Sequence, residues 1–247
     1  MSDAATLAVR GFRLSLRNID GLITALALPI MLMVMFVYLF GGAIHTGTHY
    51  VDYVVPGVLL VCVSFGAAAT AVSVAHDLSG GIIDRFRSLD VRSEALINSH
   101  VVASVARNLI STALVFVVAF AIGFRSDASV SAWLGALGVL VLFVIALSWL
   151  AAAIGIVARS AEAASGMTFL ISFLPYPSSA FVPTHTLPSW LRGFAENQPT
   201  TPVIDSMRAL LSGQPVGSSA WAAAGWSLGI AALAVVLAGA LFRRRMR

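Results

Sequence analysis

The apolar residues of this chain neither alternate nor keep to one helical stripe. They run on in blocks. Six blocks stand out, at 22–42, 54–75, 101–124, 133–157, 163–181 and 221–242. At about 1.5 Å of rise per residue each is long enough to cross about 30 Å of hydrocarbon as a helix. The fifth is interrupted in its second half by Pro175 and Pro177, which a span tolerates where neighbouring helices or water satisfy the freed carbonyls. The opening segment has a different pattern. At about 100° per residue, Arg10, Arg13 and Arg17 fall within about 60° of one another, with Ala8, Phe12, Leu16 and Ile19 opposite. This predicts an interfacial helix over 1–20, lying flat with its Arg face toward water and anionic headgroups; a solvated, frayed tail is the competing reading. The expected fold is one all-α integral membrane domain over 1–247. It has six transmembrane helices, the N-terminal amphipathic helix, a cytoplasmic helical loop at 77–95 and a short re-entrant helical segment in the outer connection at 182–220.

Composition sharpens the picture. The 247 residues are 59% hydrophobic and 11% charged, with a mean hydropathy of +0.92. A soluble domain is about 25% charged, so a soluble enzyme and a disordered chain are both excluded. All 15 basic residues are Arg. Without Lys there is no P-loop ATPase site and no Schiff-base lysine. The net charge of +4 would suggest nucleic acid in a soluble protein, but the Arg residues sit at the ends of apolar blocks. With the N-terminus inside, the inner segments hold Arg10, Arg13, Arg17, Arg85, Arg87, Arg92, Arg107, Arg159, Arg243, Arg244, Arg245 and Arg247, and the outer ones only Arg125, Arg192 and Arg208. That bias places both termini in the cytoplasm, as an even number of spans requires. No nucleic-acid partner and no cleavable signal peptide are expected. The one cysteine, Cys62, lies inside a block and reads as a small buried hydrophobe.

The block centres are nearly free of ionisable groups. Arg107 stands about two turns into the third block and is expected to snorkel to the inner face. His45, His49, His76, His100 and His185 are scattered over block ends and loops, with no metal-binding motif. No Ser or Asp stands in a nucleophile–base pattern. Glycine and alanine recur at 66–69 and at 135, 136 and 138, which predicts close helix packing. Energy for any transport therefore has to come from another chain. Phe143, Trp149, Phe169 and Phe173 are candidates to line an apolar path, with packing or lipid contact as the competing role.

Two connections carry more information. After Gly80 and Gly81, Ile82, Phe86 and Leu89 repeat at helical spacing among Asp84, Arg85, Arg87 and Arg92. Such a short amphipathic helix either docks in a groove on a soluble partner or lies solvated on the membrane surface; the residues alone leave both open. The connection at 182–220 is too long for a simple turn, and Leu187, Trp190, Leu191 and Phe194 predict short helices entering the outer leaflet.

The inner stretch resembles the cytoplasmic loop of ABC-2 type permeases of the daunorubicin-resistance kind. The pattern is an acidic residue, a Gly, then Asp-Arg-Phe-Arg-Ser-Leu-Pro; Asp77, Gly81, Ile82, Asp84, Arg85, Phe86, Arg87, Ser88 and Leu89 match it, and Asp90 stands where the family has Pro. The outer connection is similar to the family's at Ser178, Ser179, Phe181, Pro183, Pro188, Trp190, Leu191, Pro199, Thr200, Arg208, Leu210 and Gly213. The resemblance implies the membrane subunit of a bacterial plasma-membrane ABC exporter for hydrophobic drugs, antibiotics or lipids. Two permeases, identical or related, would pair with two separate ATPase subunits that bind ATP and Mg; this chain would hold no cofactor. The ATPases would dock on Asp77, Gly81, Ile82, Asp84, Arg85, Phe86, Arg87 and Leu89, with the helix of Arg10, Phe12, Arg13, Leu16 and Arg17 as a second contact. The alternatives are a permease for polysaccharide or teichoic-acid lipid-linked glycans, and an ion-coupled multidrug transporter.

Overall fold

The computed structural model describes residues 19–44, 46–79 and 93–245. These form eight α-helices and, among the described residues, no strand. Helix α1, Ile19–Met35, runs directly into a π-helical turn, Phe36–Phe40. It is followed by α2 (Tyr50–Ser79), α3 (Ser93–Ala121), α4 (Val130–Val157) and α5 (Ala161–Phe173). A 3₁₀ turn at Thr184–Thr186 leads to α6 (Ser189–Asn197), α7 (Thr200–Leu211) and α8 (Ser219–Arg245). The expected interfacial helix at 1–20 and the loop helix beginning at Ile82 lie, but for Ile19 and Asp20, outside the described residues.

Four of these helices, α2, α3, α4 and α8, are long and apolar enough to cross a membrane, against the six blocks of the sequence. The first block becomes the 17 residues of α1 with the five-residue π turn. The fifth is broken. Helix α5 has 13 residues, about 20 Å of rise, short of the roughly 30 Å of hydrocarbon. Pro175 and Pro177 lack the N–H that would continue it, and the chain turns through 174–182. The third block also starts earlier than its hydropathy suggests, so Arg107 becomes the central residue of the 29-residue α3.

Helix α2 is the axle of the bundle, packed against α1, α3, α4, α5 and α7. Val54, Val55, Val58, Leu59, Leu60, Val61 and Val63 keep no exposed surface, and Cys62 is buried among them. Glycine sets two of the closest approaches. A Cβ on Gly57 would stand 2.6 Å from the Ala180 backbone, and one on Gly155 of α4 would stand 2.6 Å from the Ala71 carbonyl oxygen. Gly138 meets nothing within 4 Å, so the glycine pattern marks close packing at some positions only. A second cluster at the Ser79 end of α2 joins Val74, Leu78, Ile97, Val101, Ile156, Ala238 and Phe242. At the Tyr50 end, Asp52 accepts a 3.0 Å hydrogen bond from the Arg125 backbone N–H, and the Ser126 hydroxyl donates to the Leu211 carbonyl at 2.6 Å. Ser129 and Ser160 cap α4 and α5 by accepting from Ala132 and Ala163 N–H groups.

Gly155→Leu should lower the stability of the detergent-solubilised protein by about 1–3 kcal/mol, the usual cost of overpacking. Gly138→Ala should leave the thermal midpoint unchanged or slightly raised. Equal midpoints for the two variants would contradict the packing described.

Candidate functional site

The loop that carries the permease-like motif hangs between α2 and α3, and the structure shows its stem. Asp77, in the last turns of α2, accepts from His100 Nε2 of α3 at 3.0 Å and lies 3.7 Å from His76 Nδ1. The pair ties the two helices together where they enter the loop. Of the residues expected to contact a partner, Asp77 alone lies among the described residues. Gly81, Ile82, Asp84, Arg85, Phe86, Arg87 and Leu89 lie outside the described residues, as do Arg10, Phe12, Arg13, Leu16 and Arg17.

A second site was not foreseen. Arg107 turns its guanidinium onto α2. Its Nη2 donates to Thr70 Oγ1 at 2.8 Å and to the Gly66 carbonyl at 3.3 Å, both on α2. The Thr70 hydroxyl lies 2.7 Å from Ser104 Oγ on α3, and the Ser148 hydroxyl of α4 donates to Ser104 Oγ at 2.8 Å. Asn108 Nδ2 donates to the Ser104 carbonyl at 3.0 Å. A polar line therefore joins three helices at mid-length, and Thr70, Ser104, Asn108 and Ser148 in it are buried. Gly66 makes room for it, since a Cβ there would stand 2.2 Å from Asn108 Oδ1. Placing an arginine at the centre of a span costs about 2.5–3.5 kcal/mol on an insertion scale. The Thr70 hydroxyl and the Gly66 carbonyl, which accept from the guanidinium, offset part of that.

The candidate path residues separate. Phe143 has no exposed surface and belongs to the core around α2, while Trp149 packs, partly buried, on the Ser79-end cluster. Phe169 and Phe173 on α5 are 62% and 53% exposed. They begin a run of rings: Phe169 to Phe173 at 5.6 Å, Phe173 to Tyr176 at 5.0 Å, Tyr176 to Phe181 at 5.8 Å, Phe181 to Phe36 at 4.4 Å and Phe36 to Phe40 at 5.3 Å between centroids. The ladder climbs from α5 across the broken segment to the π-helical turn of α1.

That broken segment is held by side chains. Gln198 Nε2 lies 3.3 Å from both the Leu174 and Pro177 carbonyls. Tyr50 OH donates to the Phe181 carbonyl at 2.7 Å. Arg208 of α7 donates to the Ser179 carbonyl at 2.6 Å, to the Tyr53 carbonyl at 3.2 Å and to Asp205 Oδ1 at 2.8 Å. Its guanidinium carbon also sits 3.7 Å over the Tyr53 ring. Arg208 was visible in the sequence as an outer arginine and as a match to a pattern; Tyr53, Asp205 and Gln198 were not singled out.

The described helices thus define a polytopic membrane bundle with an apolar core, one polar line across it and a helical loop stem at one end. Comparison with known proteins gives the family: residues 3–212 match the ABC-2 type transporter model, and the chain belongs to that family. It is an integral membrane permease subunit, of the kind that works with an ABC ATPase subunit. Among its relatives is the daunorubicin resistance ABC transporter permease protein DrrB1 of Streptomyces coeruleorubidus, 31% identical over 194 residues, which are 78% of this chain and 69% of the relative. Another is the probable doxorubicin resistance ABC transporter permease protein DrrC of Mycobacterium tuberculosis, 24% identical over 230 residues, 92% of this chain and 83% of the relative.

Arg208→Met should destabilise the protein by about 1.5–3 kcal/mol, the range for hydrogen bonds to a charged group, and Arg208→Lys should not restore it, because the ammonium lacks the planar fork. Tyr50→Phe, losing one bond, should cost about 1 kcal/mol. Thermal unfolding in detergent checks the order of the three.

Proposed function

We propose that this chain is the membrane permease of an ATP-driven exporter that moves hydrophobic drugs, antibiotics or lipids out across the bacterial plasma membrane. The observation that carries the reading is its likeness, over most of its length, to permeases named for daunorubicin and doxorubicin resistance. In this reading both termini are cytoplasmic and the Ser79 end of α2 faces the cytoplasm, as the Arg bias suggests. Helix α1 with its π turn makes the first pass. The fifth is α5 completed by the turned segment, and α6 and α7 form the re-entrant outer connection. Two such permeases, identical or related, assemble with two ATPase subunits.

The ATPase, which binds ATP and Mg, docks on the loop beginning at Ile82. Phe86 is the apolar anchor in its groove, and Arg85 and Arg87 meet carboxylates there. The Asp77–His100 pair transmits the movement of the loop to α2 and α3. Nucleotide binding drives the cycle only by favouring one arrangement of the complex over the other. Cargo contacts the aromatic ladder at its exposed rings, Phe169 and Phe173, where stacking suits flat apolar molecules.

The test is uptake of daunorubicin and of fluorescent phospholipids into inverted vesicles holding the chain with its ATPase. ATP should drive accumulation of at least one of these, and an uncoupler should leave it unchanged. Phe86→Asp should reduce it more than tenfold while membrane insertion stays normal. Transport that needs a proton gradient but not ATP, or full activity in Phe86→Asp, would overturn the reading.

A further inference from the structure

The polar line through the middle of the bundle has more hydrogen-bonding capacity than it uses. Arg107 Nε, Asn108 Oδ1, Thr112 Oγ1 and Ser64 Oγ are buried without a partner. Arg107 Nη2 takes both hydrogen bonds to α2. Nη1 makes none among the described residues and, unlike Nε, is not among the fully enclosed atoms. Among the described residues no carboxylate pairs with the charge. The ion pairs among the described residues join Arg208 to Asp205 and the two histidines to Asp77, at other places in the fold.

An arginine in hydrocarbon is stable when it finds an anion, and such residues mark the path of a transported group. The features around Arg107 fit a receiving site. Thr70 and Gly66 hold Nη2, Ser104 and Ser148 brace Thr70 from behind, and Nη1 is left over. A positively charged N–H donor without a partner is met most strongly by an anionic oxygen, of a carboxylate or a phosphate.

We infer that Arg107 is a mid-membrane docking point for the acidic group of an amphiphile, either a carboxylate on a cargo or the phosphate of an anionic lipid. The inference deepens the exporter reading, on which it rests for the passage of an amphiphile beside α2 and α3. It assigns a preference: at this point an amphiphile with an acidic group is held over its counterpart without one. Binding at equilibrium needs neither ATP nor the ATPase, so the inference stands or falls separately from transport.

The experiment uses the full chain in phosphatidylcholine nanodiscs. Spin-labelled stearic acid is compared with its methyl ester, and spin-labelled phosphatidylglycerol with phosphatidylcholine, by the fraction of probe that the protein immobilises. The wild-type chain should favour an acidic probe over its uncharged counterpart at least fivefold. A preference in the stearate pair alone identifies a carboxylate cargo; one in the phosphatidylglycerol pair identifies a lipid phosphate. Arg107→Gln should abolish the preference, and Arg107→Lys should retain it in weakened form. Thr70→Asp places a carboxylate against the guanidinium and should abolish the preference with the arginine still present, which covers the case that Arg107→Gln does not fold. No preference in the wild-type chain, or a preference that survives both Arg107→Gln and Thr70→Asp, would overturn the inference.

Discussion

Hydrocarbon offers no hydrogen-bonding partner, so every carbonyl that leaves a helix there needs one from the protein. The segment after α5 is where this constraint acts most visibly. Two prolines stop the helix early, and the carbonyls of Leu174, Pro177, Ser179 and Phe181 are then met by Gln198, Arg208 and Tyr50. Ser178 closes the set by donating to the Pro175 carbonyl at 2.5 Å. The partners come from α2, from α7 and from the short link between α6 and α7. The break in one helix thereby fixes where three other elements sit. Helix α7 is drawn against α2 and α4, and the π turn of α1 is stacked on Phe181.

The same demand organises the interior. Helix α2 is enclosed by five neighbours, and its Thr70 hydroxyl and Gly66 carbonyl are met from inside the bundle. Thr70 serves as a junction between the guanidinium of α3 and the serines of α3 and α4. Small residues make this possible. Gly66 leaves space for the Asn108 amide, and Gly57 lets the broken segment lie on α2. Packing and polar satisfaction are one arrangement here, because the close approaches that glycine permits are what bring the polar groups within reach.

Hydropathy made α2, α4 and α8 legible within a few residues, since long apolar blocks leave no other element type. It overstated the fifth span, because a block average takes no account of a proline that ends a helix. It also misplaced Arg107. Polar residues at the start of α3 hid its first two turns, so a residue at the centre of the helix read as one near the edge. A finer signal was present. Ser104, Asn108, Ser111 and Thr112 recur every three or four residues in the third block, a polar stripe within an apolar run, and the stripe marks the face turned to α2. The motif of the inner loop was legible as family resemblance. The Tyr53–Arg208–Asp205 bracket was not, because its members lie 155 residues apart in part and nothing local signals that they meet.

The stem at Asp77 and His100 has a mechanical consequence. It joins α2 to α3 at the ends that the loop connects, while the tight seat of Gly155 against Ala71 locks α2 to α4 two turns further along. A tug on the loop is therefore received by three helices at once, as by a lever with a wide foot. The polar line of Thr70, Ser104 and Ser148 stands on the same three helices, and the long helix α8 leans on them chiefly through α4, with much of its length turned outward.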